Sequence, residues 1–314
     1  MIVDAFYAAP ALLILALGIY STIVRDTFSA TVGFIAYGLL LTVAWVQLHG
    51  VDVALTEAAI GGGLTGLLLV RASARLRPTE ALARAEAPGG AVRLLAGLMA
   101  GGVFVVLAIA VLSLPDPAPT LAPQAAEHMA STGVGNPITA VLLAYRAMDT
   151  MLEAIVLLLA LIGVWSLAPD RVWGGRPGPR YNADPEGILA FIARVLPPVG
   201  IIVGIYIFWI GADHPGGKFQ GATIVAAMWL LTMMAGLADA PPINRRWVRI
   251  LLVAGPAVFV AVGVAGTLTA GAFLGYPEGW AKPLILVIEF ALMPSLALTL
   301  GLIMAGTPER PAAP

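Results

Sequence analysis

Between Ile138 and Leu167 the chain reads ITAVLLAYRAMDTMLEAIVLLLALIGVWSL. That run is long and apolar enough to cross a bilayer, which takes about 20 such residues. Yet Arg146, Asp149 and Glu153 lie inside it. Their offsets of three and four predict one shared face of a helix, with Thr139 and Thr150 in the same stripe. An ionisable side chain at mid-membrane costs at least about 2.5–3.5 kcal/mol. Three on one stripe must therefore face protein or water, which makes them candidates for function.

The surrounding composition fits a membrane setting. Of 314 residues, 60% are hydrophobic and 11% charged, against roughly 25% charged in a soluble domain. The net charge of −1 points to no nucleic-acid or acidic partner, and the absence of cysteine excludes disulfides and thiolate ligation within the chain. The opening MIVDAFYAAP has no basic segment, so the first apolar run is expected to be a retained span, not a cleaved signal.

Nine runs are long enough to span, near 5–24, 28–48, 52–70, 93–114, 138–167, 188–210, 220–237, 248–272 and 283–304. Connectors after odd-numbered runs, with the adjoining span ends, hold 14 of the 17 basic residues. The positive-inside rule then predicts the amino terminus outside and the carboxy terminus in the cytoplasm. Six tryptophans (Trp45, Trp165, Trp173, Trp209, Trp247, Trp280) fall near span ends, where aromatic belts form. Residues 71–92 read as a basic surface helix ending at Pro88-Gly89-Gly90, residues 115–136 as an outer loop, and residues 168–187 as a Pro/Gly-rich cytoplasmic connector. The expected fold is an all-α integral membrane protein of about nine helices, in groups of three, two and four.

Within this frame several residues carry possible chemistry. Asp52 opens the third span and reads as a helix cap. Glu57 lies about 7–8 Å further in, suited either to proton handling or to a neutral, hydrogen-bonded role between helices. Gly61, Gly62, Gly63 and Gly66 fit G-x-G-x-x-G, but no strand precedes them, so close helix packing is the better reading. The pairs Gly97/Gly101 and Gly200/Gly204 are read the same way. Arg146 can pair with Asp149 across one turn, and Asp149 and Glu153 form a coupled carboxylate pair able to take up and release a proton. A static packing network is the alternative. The turn Gly211–Gly221, GADHPGGKFQG, lacks the spacing and the hydroxyl of a phosphate loop. His214, with Asp213 and Lys218 in the same turn, is a candidate outer-side relay or simply a turn residue. No histidine pair has metal-ligand spacing, so neither a metal nor another cofactor is expected. Glu289, below the outer boundary of the last span, needs a partner from another span or another subunit, whereas Lys282 can snorkel.

These residues resemble a known family. VDVALTEAAIGGGLTGLLL resembles the D-V-A-L-T-E-A motif of the MbhD-type domain, also found near the carboxy end of MrpA. AYRAMDTMLEAIVLLLALIGVWSL resembles the F-R-A-F-D-T-x-x-E helix of the MbhE-type domain. GADHPGGKFQGA resembles the G-H-x-x-P-G-G-G-F-x-G-G turn of MrpB, and PLILVIEFALMPSLALTLGLI resembles that subunit's last span. The resemblance implies a subunit of an Mrp-type cation/proton antiporter in a prokaryotic cell membrane. It divides the chain into an MbhD-like unit (1–77), a surface connector (78–92), an MbhE-like unit (93–167), a second connector (168–187) and an MrpB-like unit (188–314). It implies an ion path through Glu57, Asp149, Glu153 and Glu289 with Arg146 as electrostatic partner. As partners it implies small MrpC-like subunits together with a complex I-like antiporter subunit, which supply the driving machinery. Two departures stand out: Lys218 occupies the third glycine of the turn, and Ala212 the place of its histidine. The alternatives are the equivalent module of a membrane-bound hydrogenase-like complex, a self-sufficient transporter, and a structural scaffold.

Overall fold

The computed structural model describes residues 2–85, 88–182 and 184–311. The chain is helical nearly throughout. Among the described residues the strands are β1 (Arg176–Pro177) and β2 (Pro308–Arg310), paired antiparallel. Also among them, seven helices are long and apolar enough to cross a membrane.

The first unit begins with α1 (Ile2–Ile23) packed on α2 (Thr27–Gln47), which Asp26 caps by accepting the Ser29 N–H at 2.7 Å. After a turn through His49 and Gly50 come α3 (Val51–Thr56), a π-helical segment Glu57–Thr65 and α4 (Gly66–Ala85), one uninterrupted run. Gly61, Gly62 and Gly63 lie in the π-helical part and Gly66 opens α4; the cluster packs on α2, Gly62 against Leu39 and Gly66 against Ile35. The close-packing reading and a local change of winding are therefore both present. The predicted surface helix does not stand apart. It continues the third span through Pro78, and Glu86 and Ala87 lie outside the described residues.

Next is α5 (Gly90–Leu112), on which no residue is buried. A Cβ added at Gly97 or Gly101 would meet nothing, so these glycines mark no helix contact within this chain and that expectation is corrected. The predicted outer loop carries two short helices, α6 (Ala122–Glu127) and α7 (Met129–Thr132).

The charged run is not the single helix its periodicity predicts. It starts as α8 (Pro137–Ala140), winds as a π-helix over Val141–Tyr145, breaks at Arg146 (φ −126°, ψ 36°) and resumes as α9 (Ala147–Ser166). Carbonyls freed by a break must find other donors in a membrane. Here the Thr150 hydroxyl donates to the Leu142 carbonyl at 2.5 Å, and the Tyr276 hydroxyl to that of Leu143 at 2.6 Å.

The last unit holds α10 (Ile188–Ile210), α11 (Lys218–Met234), α12 (Arg246–Thr269) and α13 (Ala281–Ala305). The core gathers on α13, which packs against α9, α11 and α12 and buries Ile285, Ile288 and Leu292 completely. α10 packs on α11 through glycine: a Cβ at Gly221 would lie 2.5 Å from the Gly204 carbonyl oxygen. Gly221→Ala is therefore expected to force the two helices apart and to cost about 1–3 kcal/mol of stability in thermal unfolding. At 17 residues, α11 is short of a full span.

Candidate functional site

Four helices, drawn from all three groups, bring ionisable side chains to one cavity. Glu289 from the middle of α13 is 2% exposed, and Lys218, the first residue of α11, is 6% exposed. The Lys218 ammonium stands 3.8 Å from Glu289 Oε1. Glu153 of α9 lines the same cavity, of about 250 Å3, together with Asp52, Thr56 and Gln220. That volume holds several water molecules, and the polar lining offers them partners. Gln220 donates to the Thr56 hydroxyl at 3.0 Å, tying α11 to α3.

Beside this cavity sits a tightly bonded turn. Asp52 is 9% exposed and does not cap its helix, since Gly50 occupies the N-cap position. Its Oδ1 instead accepts the Gly216 N–H at 3.0 Å and the Asn136 side-chain amide at 3.2 Å. The cap reading is overturned: the side chain reaches across to two other segments. Asn136, 2% exposed, also donates to the carbonyls of Gly211 (3.1 Å) and His214 (3.0 Å), while its Oδ1 accepts the Ile138 N–H. Thr139 donates to the Gly211 carbonyl at 2.6 Å. One asparagine thus joins the start of the charged run to the turn between α10 and α11.

On the same side a second cavity of about 280 Å3 is lined by His49, Asp213 and His214, and shares Asp52, Val53 and Ile138 with the first. Asp213 accepts two bonds from the Lys282 ammonium, at 2.7 and 2.8 Å, and one from the Gly135 N–H. The Lys282 bond is the chief reason that its carboxyl is held below the ordinary value of 3.8. Lys282 is therefore paired and not merely snorkelling.

The remaining candidates lie elsewhere. Arg146 and Asp149 pair at 2.6 Å, but their side chains are 71% and 54% exposed on the surface of the chain. Glu153, four residues further along α9, is exposed as well, so the three form no buried stripe; Glu153 reaches the cavity lining and Asp149 does not. Glu57 is half-buried at the α2 contact, its carboxylate lying against Gly61 and Gly38. It does not line the cavity either. A side chain at Gly61 would displace that carboxylate from its present position. Among the described residues no group of three or more His, Asp or Glu is placed to hold a metal ion. The residues missed from sequence are Asn136, Gln220 and Thr56. Asn136-Pro137 before an apolar run is a legible helix start, but its three long-range bonds leave no local mark.

Long apolar helices around buried ionisable groups define a multi-pass membrane protein. Residues 188–307 match a domain related to the MnhB subunit of Na+/H+ antiporter, and residues 12–78 match the MbhD family of MBH subunits. The A/B subunit of a probable K+/H+ antiporter from Rhizobium meliloti is 26% identical over 276 residues, covering 76% of this chain but only 26% of that protein. The chain thus spans about a quarter of that relative's length. The fold is that of part of the Mrp complex from Dietzia sp., with a TM-score of 0.72 and 22% identity over 98% of this chain and 35% of the other. An archaeal respiratory complex, the membrane-bound sulfane sulfur reductase, contains a similar chain, with a TM-score of 0.55 and 24% identity over 68% of this chain and 97% of the other. The chain thus joins a domain of the MbhD family to a domain related to the MnhB subunit of Na+/H+ antiporter.

Proposed function

We propose that this protein is a subunit of an Mrp-type cation/proton antiporter complex and contributes a water-accessible part of its ion path. The observation that carries the reading is the cavity lined by Glu153, Glu289 and Lys218, the last two paired, with a second cavity beside it at the Asp213 turn. Carboxylates from two spans facing one cavity can pass a proton or a cation between them. The family's domains at both ends of the chain support the same reading. In it the protein is a transport subunit without a catalytic site of its own. Small MrpC-like subunits and a complex I-like antiporter subunit supply the driving machinery.

The path runs from the Asp213 turn past His214 and Asp52 to Lys218, Glu289 and Glu153. Glu57 and the Arg146–Asp149 pair serve contacts with neighbouring helices or chains. The chain crosses the membrane nine times, α1 and the 17-residue α11 adding to the seven long apolar helices, with the Asp213 turn outside and the carboxy terminus in the cytoplasm. The arginine distribution supports this orientation. The three-unit division, 1–77, 93–167 and 188–314, follows the same spans. The similarity to the sulfane sulfur reductase keeps a second setting open, the equivalent module of a respiratory membrane complex.

Glu153→Gln and Glu289→Gln test the path. In everted vesicles carrying the assembled complex, each is expected to lower cation-dependent proton movement by about tenfold, or about 1.4 kcal/mol in the barrier. Full transport by both variants, with assembly intact, would leave the carboxylates as packing groups only.

A further inference from the structure

We infer that Lys218 is a tethered cation, filling the place an alkali ion would take beside Glu289 in the cavity that Glu153 also lines, so that this cavity exchanges protons and not Na+ or K+. The inference rests on the reading of the cavity as part of the ion path.

Four ionisable side chains face the cavity, each from a different element: Asp52 from α3, Glu153 from α9, Lys218 from α11 and Glu289 from α13. Asp52 is committed to the Gly216 and Asn136 bonds, which leaves two carboxylates and one ammonium. Taking an ammonium out of water costs several kcal/mol unless opposite charge meets it. Glu289, 3.8 Å away and almost fully enclosed, supplies that charge. An alkali ion drawn to the same carboxylates would have to sit beside the ammonium, where two like charges at bonding distance repel. A proton carries no such requirement, since it adds to a carboxylate oxygen without displacing the lysine.

The tether is anchored on both sides of its Cα. Gly216, two residues before, is bonded to Asp52, and Gly221, three residues after, is wedged against Gly204. The ammonium can move on its stem, but the stem begins at a fixed point on the cavity wall. Removing the charge would leave two uncompensated carboxylates beside about 250 Å3 of space, enough for a partly hydrated monovalent ion.

The test uses the full chain purified in detergent, with radioactive sodium as probe and thermal unfolding in NaCl, KCl or choline chloride at equal ionic strength. The wild type is expected to bind no sodium saturably and to melt alike in all three salts. Lys218→Met is expected to gain saturable sodium binding and stabilisation by NaCl, both lost again in Lys218→Met/Glu289→Gln. Lys218→Gln, which keeps a polar tip, serves if the methionine variant does not fold. Saturable sodium binding by the wild type that Glu289→Gln abolishes would overturn the inference, as would a folded Lys218→Met that binds none. The wild-type measurement decides even if neither variant folds, because saturable binding overturns the inference and its absence supports it. Sodium binding by the wild type would leave the ion path itself standing. Loss of the path is read separately, from transport by the assembled complex carrying Glu289→Gln.

Discussion

Glu289→Leu is expected to destabilise the purified chain by about 3–5 kcal/mol, the range for breaking a buried ion pair from one side. The replacement keeps apolar volume in α13 but strands the Lys218 ammonium, 8% exposed at its side chain, without its nearest carboxylate. Glu153 lines the same cavity and partly compensates, which places the effect toward the lower end. The double variant Glu289→Leu/Lys218→Met removes both charges and is expected to recover most of the loss. The check is a double-mutant cycle in thermal unfolding. A loss in the double variant equal to the sum of the losses in Glu289→Leu and Lys218→Met would mean that the two side chains do not interact.

Asn136→Ala is expected to cost about 3 kcal/mol. It leaves the buried Asp52 carboxylate short of one partner and the part-buried His214 carbonyl and Ile138 N–H without theirs, and an unmet buried group costs about 1–3 kcal/mol. The Gly211 carbonyl keeps its bond from Thr139, so the sum is less than four full losses. Because this residue joins the charged run to the turn that carries Lys218, transport by the assembled complex is expected to fall with stability. A change within about 0.5 kcal/mol, the range of ordinary surface substitutions, would show that the turn holds without it.

How much of this was written in the sequence depends on how local each interaction is. The apolar runs were legible because each span declares itself within about 20 residues. Arg146–Asp149 was legible too, as a pair one helical turn apart. The break at Arg146 was not: the apolar pattern runs straight through it, and one of the hydroxyls that serve its free carbonyls comes from Tyr276, 133 residues from its acceptor. Glu289 announced its need for a partner by lying deep in an apolar helix, yet nothing nearby named Lys218, which reads in sequence as one more turn residue. Asp52 misled because an acid at a helix start usually caps it. Here Gly50 takes that position, and the carboxylate serves the Gly216 N–H, 164 residues away.

α5 carries a different lesson about what the polypeptide contains by itself. Of its 23 residues none is buried, and only Ala108 is even half-covered. A helix with so little to lean on draws almost nothing from tertiary packing, so melting the isolated chain reports on the other helices. Its address in the membrane is written by lipid or by neighbouring subunits. To that extent the protein is like a bracket with one arm left loose until the frame around it is bolted in.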